Sequence, residues 1–296
     1  MVIIQVTGGL GNQMFQYAAS KALAAKLATD LKIDTTFYKK NFATEIEHQR
    51  RYLLNTYFQL HAPLLTAAES QLLTKYSRHI GYRLYKKTSE LLGLPSPFRF
   101  YQEKTFAGYE PGIHGVSGRI VYLHGGFQSE KYFMNCADSI REDFTFRSID
   151  PKNASIAEQM QEQESIAIHI RRGDYVQSPY HNTCSVDYYL SAMQRVEATV
   201  AKPFYYIFSD DIDWVKEQLN ISADHEFITH NNGDDSYKDM YLMSQCRHNI
   251  IANSSFSWWG AWLNQYGKKV VIAPEDWLSY HQVSARSIVP DAWLTL

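Results

Sequence analysis

Apolar and polar residues alternate most regularly in the stretch SIAIHIRRGDY, residues 165–175. Isoleucines fill every second position at its start, which is the period of a β-strand. His169 and Arg171 fall on the opposite face of that strand. Gly173 then permits a sharp turn, and Asp174 and Tyr175 follow it. This pattern predicts a buried strand that ends in a cluster of polar side chains.

The carboxyl-terminal half continues as strand-like and helix-like segments in alternation, an order that predicts an α/β domain with a parallel sheet. The front half opens in the same way, with a strand, a glycine turn and a helix. We therefore predict two Rossmann-like α/β domains that face a cleft, one over 1–153 and one over 154–296. A tail from Trp277 should pack back through Trp293. In the front half, 53–58 is predicted as a strand and 66–92 as a helix.

Composition narrows the class of protein. The chain has 296 residues, of which 45% are hydrophobic and 20% charged, as in ordinary globular proteins. Its formal net charge of −2 gives no general attraction to nucleic acid or to an anionic membrane, so at most peripheral membrane contact is expected. The three cysteines lack zinc or disulfide spacing. The first residues resemble no signal peptide, so a cytoplasmic protein is expected.

The first strand leads into a glycine turn, TGGLGNQ, and then a helix. Gly9 and Gly11 fit the dinucleotide fingerprint, but Met14 stands where its third glycine belongs. Asp34 follows the second strand, about where a ribose-binding acid would lie. A nicotinamide site and a turn without ligand both stay open. The amide of Asn12 favours a ligand, because a polar side chain at a helix start can reach into a cleft.

Arg171 and Arg172 end an apolar strand, where two cations are costly to desolvate without an anion nearby. Arginine suits planar, bidentate contact with a carboxylate or phosphate. A structural ion pair with Asp174 would satisfy one arginine. The grouping of two arginines with His169 and Tyr175 favours an anion site at the carboxyl edge of an α/β sheet.

Further candidates follow other strands. Ser209, Asp210 and Asp211 end one of them, and one of the three is expected to cap the next helix. A remaining carboxylate, such as Asp210, would be placed for a ribose or guanine. Asp239 lies on a helix among apolar residues. At the next strand-to-helix turn, hydroxyls and free N–H groups suit either capping or a phosphate. The residues of that turn are Ser254, Ser255, Phe256 and Ser257.

Four stretches together resemble the α-1,2-fucosyltransferases of glycosyltransferase family 11. They are GGLGNQMFQYA at 8–18, HIRRGDY at 169–175, FSDD at 208–211 and ANSSFSWWGAWL at 252–263. The resemblance implies a GT-B fold, GDP-β-L-fucose as donor substrate, inversion at the anomeric carbon, and no cofactor or metal. It also implies an acceptor with a terminal β-galactoside, as in lactose or a surface polysaccharide.

The same resemblance assigns roles to individual residues. Arg171 would clamp the β-phosphate with support from Arg172, and Asn12 would lie near the donor. Guanosine and phosphates would be held by Asp239, Ser255, Phe256 and Ser257. One base is needed for the acceptor hydroxyl, and His169 and Asp174 are the candidates. Departure assisted by the phosphate alone stays open, as do two other functions: a nicotinamide-dependent oxidoreductase and a non-catalytic sugar-nucleotide-binding protein.

Overall fold

The computed structural model describes residues 1–39, 50–78, 98–105, 108–176, 182–278 and 283–296. Residues 79–92 of the predicted long helix lie outside these ranges. Backbone contacts divide the chain into two compact units, Met1–Thr145 and Phe146–Leu296. The boundary predicted between 153 and 154 falls inside a helix of the second unit, Pro151–Glu162.

The first unit is built on a parallel sheet of four strands, in the order β2-β1-β4-β3. The strands are β1 Val2–Gln5, β2 Leu31–Asp34, β3 Phe98–Gln102 and β4 Ile120–His124. The described helices of this unit are α1 Leu10–Lys26, α2 Leu54–Tyr57, α3 Ala67–Arg78 and α4 Ala137–Asp143. The glycine turn joins β1 directly to α1, as the sequence predicts.

The strand predicted over 53–58 is wrong, because this stretch forms the short helix α2. Leu54 and Phe58 are both fully buried, and a spacing of four residues puts them on one face of a helical turn. The buried amide of Gln13 fixes the turn: its oxygen accepts the Leu53 N–H at 2.9 Å and its nitrogen donates to the Arg51 carbonyl at 2.9 Å. Tertiary hydrogen bonds therefore override the local preference.

The second unit holds a six-stranded parallel sheet, in the order β12-β9-β8-β5-β6-β7. Its strands are β5 Ser165–Ile170, β6 Phe204–Ser209, β7 His225–Ile228, β8 His248–Ile250, β9 Val271–Ala273 and β12 Leu294–Thr295. A small antiparallel pair, β10 Asp276–Leu278 and β11 Val283–Ser284, precedes β12. The helices are α5 Pro151–Glu162, α6 Val186–Glu197, α7 Ile212–Gln218, α8 Tyr237–Gln245 and α9 Ser255–Leu263.

Strand β5 lies inside this sheet, and all of its residues are buried. Its isoleucines, Ile166, Ile168 and Ile170, pack into a core with Tyr189 and Val215 on one face. On the other face, Ala167 packs into a core with Met160 and Phe208. The predicted strand and its two faces are thus confirmed. Because neighbouring strands run parallel, their carboxyl ends collect at one edge of the sheet.

Helix α9 and the end of the chain close one side of the second unit. Trp258 and Trp259 are fully buried, and the Trp258 indole N–H donates to the Ile288 carbonyl at 3.1 Å. The Trp293 ring lies 5.5 Å from that of Trp258, which confirms that the tail packs back. Though rich in tryptophan, α9 is short, and none of the helices within the described ranges has the length and apolarity to span a membrane.

Candidate functional site

The ends of β5 and β6 bring the two arginines and two aspartates together. Ile170 and Ser209 are register partners at the ends of these strands. Arg171 and Arg172 leave β5 at the same level at which Asp210 and Asp211 leave β6. The predicted cluster at the carboxyl edge therefore forms, although the two segments lie about forty residues apart in the chain.

Two carboxylates hold the Arg171 guanidinium. Its Nη1 lies 2.9 Å from Asp210 Oδ2, and its Nη2 lies 2.6 Å from Asp174 Oδ1. The Tyr175 ring centroid is 5.5 Å from the guanidinium carbon. Burial disfavours the charge, but Asp210 and Asp174 outweigh it and raise the pKa of Arg171. Because its side chain remains 34% exposed, this permanent cation is oriented and still accessible to an anion.

Arg172 makes contacts within the protein that hold the turn after β5. Its Nε donates to Asp211 Oδ2 at 3.0 Å, and its guanidinium carbon lies 3.8 Å from the centroid of the Trp214 ring. Its backbone N–H donates to Asp210 Oδ1 at 2.8 Å. These contacts hold the turn that carries Arg171. Support of the β-phosphate by Arg172 stays a prediction.

Asp210 holds the arginines, which departs from the ribose or guanine ligand expected from the sequence. One carboxylate oxygen faces the Arg171 guanidinium and the other accepts the Arg172 N–H. Both oxygens are thus engaged within the protein. Gly173 permits this arrangement, because a Cβ at that position would lie 2.6 Å from Asp210 Oδ2.

Asp211 is the helix cap that the sequence anticipates among the three polar residues. Its Oδ1 accepts the Trp214 N–H at 3.3 Å, which satisfies one of the free N–H groups at the start of α7. The Ser209 hydroxyl oxygen in turn accepts the Asp211 N–H at 3.0 Å. This capping and the contact with Arg172 together fix the β6–α7 turn.

His169 is poorly suited to act as the base. Burial, helped by the positive charge of Arg171, lowers the pKa of the His169 imidazole to about 3. Its Nδ1 is buried and makes no hydrogen bond within the described part of the chain. A nitrogen of such low basicity gains little by taking a proton from a sugar hydroxyl near neutral pH. The ring instead lies 5.8 Å from that of Phe256.

At the turn between β8 and α9, two of the predicted ligand serines serve the fold. Ser254 caps α9, its hydroxyl oxygen accepting the Phe256 N–H at 3.3 Å. The fully buried Ser257 hydroxyl lies within 3.4 Å of the Ala252 carbonyl and 3.3 Å of the Ser254 carbonyl. Ser255 and Phe256 are only half-buried, so these two remain placed for a ligand. The capping alternative thus holds for Ser254, while the Ser257 hydroxyl is directed at backbone carbonyls.

Asp239 lies in the first turn of α8, where burial raises the pKa of its carboxyl to about 7. Its Oδ1 accepts the amide N–H of Asn231 at 2.9 Å. Asn231 forms a reciprocal amide pair with buried Asn153, at 2.9 and 3.0 Å. Sequence reasoning missed this buried pair. Its signal was a polar residue at an inward position of α5 and an asparagine-rich loop after β7.

In the first unit, the glycine turn presents Asn12 at the start of α1. Gly9 begins the helix without a capping side chain. Gly8 has a left-handed φ of 73°, and a Cβ there would lie 2.7 Å from Asn12 Nδ2. The half-buried Asn12 accepts the amide N–H of Gln128 on its Oδ1 at 3.0 Å. Gly11 is buried in the first turn of the helix.

Gln128 belongs to a second glycine turn, after β4, that the buried carboxylate of Glu103 holds in place. Glu103 Oε2 accepts the N–H groups of Gly126 and Phe127 at 2.6 and 2.9 Å. Phe127 itself adopts a left-handed φ of 51°, unusual for a residue with a side chain. The sequence indicates the glycine turn but gives no sign of its link to Glu103 or Asn12.

Asp34, the acidic residue on which the nicotinamide alternative depends, makes its hydrogen bonds within the protein. Asp34 is buried, accepts the Thr36 N–H on Oδ1 at 2.8 Å, and accepts the Tyr122 hydroxyl on Oδ2. Met14, which replaces the third glycine of the fingerprint, is fully buried in the core. Both residues that bear on this reading therefore serve the fold of the first unit.

Comparisons with known proteins identify the family to which the chain is similar. The family model described as glycosyl transferase family 11 matches residues 1–296. The alpha-1,2-colitosyltransferase of Escherichia coli is 32% identical over 308 residues, covering 100% of this chain and 99% of that protein. Galactoside alpha-(1,2)-fucosyltransferase 2 of Bos taurus is 23% identical over 280 residues, covering 89% of this chain and 69% of that protein.

Among solved structures, the α-1,6-fucosyltransferase NodZ soaked with GDP-fucose superposes with a TM-score of 0.50 at 14% identity. The match covers 88% of this chain and 92% of NodZ. At this identity the likeness bears on the fold. It supports the GT-B class expected from the sequence, with two parallel α/β sheets.

Proposed function

The chain belongs to glycosyl transferase family 11, and from this premise we propose that it transfers L-fucose from GDP-β-L-fucose to the 2-hydroxyl of a terminal galactose. The observation that carries the proposal is Arg171, an oriented and partly exposed guanidinium at the carboxyl edge of a parallel sheet. A permanent cation in that position suits the diphosphate of a sugar nucleotide.

Stabilisation of the leaving group is the chemical task of the site. As the bond between fucose and the β-phosphate breaks, negative charge grows on the departing GDP. A cation that is already oriented stabilises this charge without reorganising, and removing one such donor typically costs about 3 kcal/mol of barrier. The contacts of Arg171 with Asp210 and Asp174 provide this orientation.

A single displacement inverts the anomeric carbon and needs at most one base. The low pKa of His169 argues against that residue. Asp174 remains the candidate, although its Oδ1 lies 2.6 Å from Arg171 Nη2. Departure driven by Arg171 with little help from a base is consistent with both observations. In this scheme residues 154–296 bind the donor and 1–153 form the acceptor side.

Other residues are proposed to contact different parts of the donor. Ser255 and Phe256, half-buried at the start of α9, are proposed to contact the phosphates and the nucleoside. Asp239 is proposed to bind the guanosine part of the donor. Asn231 orients its carboxylate by donating a hydrogen bond to one of its oxygens. Asn12 is proposed near the donor from the first unit.

A second donor has support from one observation. The E. coli relative at 32% identity is named a colitosyltransferase, and it covers the whole chain. Colitosyl transfer with the same linkage is therefore the second candidate. The acceptor in either case is a galactoside, in line with the name of the bovine relative.

The test is an incubation of the protein with GDP-fucose and lactose, in which the release of GDP and the formation of a trisaccharide are followed. The proposal predicts both, with an α-1,2 linkage by NMR. Parallel reactions with a nucleotide-linked colitose measure donor preference. GDP-fucose binding without a trisaccharide would indicate a non-catalytic binding protein. Saturable binding of NAD but not of GDP would favour an oxidoreductase.

A further inference from the structure

A line of hydrogen bonds connects the start of α5 with Asp239 on α8. Asn153 Nδ2 donates to Asp150 Oδ2 at 2.7 Å and to Asn231 Oδ1 at 3.0 Å. Asn231 Nδ2 donates in return to Asn153 Oδ1 and also to Asp239 Oδ1, both at 2.9 Å. Asn153 and Asn231 are buried, so solvent does not compete for these contacts. These four side chains form the asparagine network.

Asp150 fixes the direction of both amides. Hydrogen bonds from Asn153, together with Lys238, hold the pKa of Asp150 below its ordinary value, so its carboxylate is ionised and can only accept. The NH2 group of Asn153 must therefore face Asp150. The reciprocal pair then turns the NH2 group of Asn231 towards Asp239. As a result, Asp239 Oδ1 is held as a hydrogen-bond acceptor.

A carboxylate that only accepts hydrogen bonds suits guanine and opposes adenine. The pairing edge of guanine carries two neighbouring donors, at N1 and at the 2-amino group, whereas adenine presents an acceptor at N1. An ionised carboxylate attracts the first edge and repels the second, while a protonated carboxyl group could donate to N1 of adenine. Asp239 is half-buried, so a base can reach its carboxylate.

We propose that Asn153 and Asn231 are positioning residues that keep Asp239 an acceptor and so give the donor site its preference for guanine over adenine. The inference rests on the proposed function, since it assumes that Asp239 contacts the guanosine part of the donor. Neither asparagine needs to touch the donor. Burial raises the pKa of Asp239 to about 7, and the Asn231 hydrogen bond opposes this rise because it favours the ionised form.

The other titratable groups around α8 can be separated from Asp239. His230 Nε2 lies 3.2 Å from Asn153 Oδ1, and burial, followed by the charge of Lys152, lowers the pKa of that imidazole. Lys238 pairs with Asp150 and stays protonated. Helix α9, which packs on α8, contains no titratable residue. The remaining ionisable side chains on α5 and on the turn before α8 are Glu158, Glu162, Asp234 and Asp235.

Calorimetric titrations with GDP and with ADP test the inference, because the two nucleotides share the diphosphate and differ in the base. Asn231→Leu removes the donor to Asp239 at nearly constant side-chain size. Asn232→Leu, the same change at an exposed neighbouring position, is the matched control. We expect the ratio of GDP affinity to ADP affinity to fall at least about fivefold in Asn231→Leu, the scale of one hydrogen bond to a charged group. The control should keep the wild-type ratio.

A pH series distinguishes positioning from a purely structural role. In the wild-type protein the ratio of GDP affinity to ADP affinity should rise as pH passes through about 7, because Asp239 becomes ionised. Ionisation of the phosphates is common to both nucleotides and cancels in the ratio. In Asn231→Leu the midpoint of this rise should move up by about one pH unit, since the ionised form loses a hydrogen bond.

Four results would overturn the inference: no preference of the wild-type protein for GDP over ADP, a wild-type ratio in Asn231→Leu, an unshifted midpoint, or an equal loss in Asn232→Leu. Failure of the wild-type protein to bind either nucleotide would instead refute the proposed function.

If Asn231→Leu does not fold, Asp150→Asn is measured in the same titrations. Asparagine can still cap α5, but it offers one oxygen where two now accept from the backbone and side-chain N–H groups of Asn153. A lower ratio of GDP affinity to ADP affinity in this variant supports the inference, and the wild-type ratio contradicts it.

Discussion

Asp210 Oδ2 lies 2.9 Å from Arg171 Nη1, while the other oxygen of the same carboxylate accepts the Arg172 backbone N–H at 2.8 Å. One side chain at the end of β6 thus fixes both the guanidinium and the turn that carries it. A charged group held in this way needs no reorganisation when negative charge develops beside it. Asp210 is therefore a positioning residue in our scheme.

Replacing Asp210 with asparagine should reduce kcat more than it raises KM for the acceptor. The amide keeps the size of the side chain but loses the charge that orients Arg171. We expect kcat to fall by about ten- to a hundredfold, the scale of a partly lost transition-state contact. Steady-state kinetics with GDP-fucose and lactose measure the effect. Asp213→Asn, at an exposed position of α7, is the control and should leave the rate unchanged.

Gly173→Ala should impair the same cluster by sterics alone. The added Cβ would lie 2.6 Å from Asp210 Oδ2, closer than such atoms approach in folded proteins. The carboxylate must then shift away from Arg171, and activity should fall by at least about tenfold. Gly267→Ala is the control, because its Cβ would meet nothing within 4 Å. Equal rates for the two variants would show that the close approach is unimportant.

Gln128→Met should release the amide of Asn12. Methionine keeps the length of glutamine but cannot donate to Asn12 Oδ1, which now accepts from Gln128 at 3.0 Å. Because Asn12 is proposed near the donor, we expect the KM for GDP-fucose to rise about three- to tenfold, as one hydrogen bond is lost. Gln194→Met, on an exposed part of α6, provides the comparison. A donor KM equal to that of this comparison variant would argue against a role for Gln128.

The pKa of Asp239 gives a stability prediction with a defined sign. Its carboxyl titrates near 3.8 when exposed and near 7 in the folded protein, because burial disfavours the charge. Between these values the folded state holds a proton that the unfolded state has lost. The contribution of Asp239 to the free energy of unfolding is therefore greatest below pH 3.8 and declines as pH rises to about 7.

Urea unfolding of the wild-type protein and Asp239→Asn, at a series of pH values, measures this contribution. We expect the stability of the wild-type protein to fall more steeply than that of the variant between pH 3.8 and about 7. Parallel curves would contradict the raised pKa. GDP binding by the wild-type protein gives a second reading. If the ionised Asp239 accepts a hydrogen bond from guanosine, affinity should rise as pH passes through 7.

Sequence periodicity predicted β5 and the cluster at its end because burial on both faces constrains each position of that strand. The roles within the cluster were harder to predict. Asp210 directly follows β6 and Ser257 lies in the first turn of α9, and at such positions ligand binding and fold maintenance use the same kinds of side chain. Which partner each one takes depends on contacts across neighbouring strands, such as Asp210 with Arg171. Local patterns contain no information on those distances.

Contacts between residues distant in the sequence also decide the local structure of the first unit, and there they overturn a predicted element. The 53–58 stretch has the composition of a strand, yet Gln13 fixes it as a helical turn from about forty residues away. Glu103 holds a glycine turn through the N–H groups of Gly126 and Phe127, more than twenty residues later. These links are side chain to backbone, and such contacts leave no periodic signal.

Arg171→Ala tests the central claim most directly, with Arg195→Ala at an exposed position of α6 as the matched control. GDP release and trisaccharide formation are followed with GDP-fucose and lactose, while circular dichroism reports on the fold. Our account predicts that Arg171→Ala keeps the fold and loses about a hundred- to a thousandfold in kcat, whereas the control turns over at the wild-type rate. A folded Arg171→Ala protein with a rate within a few-fold of wild type would contradict it.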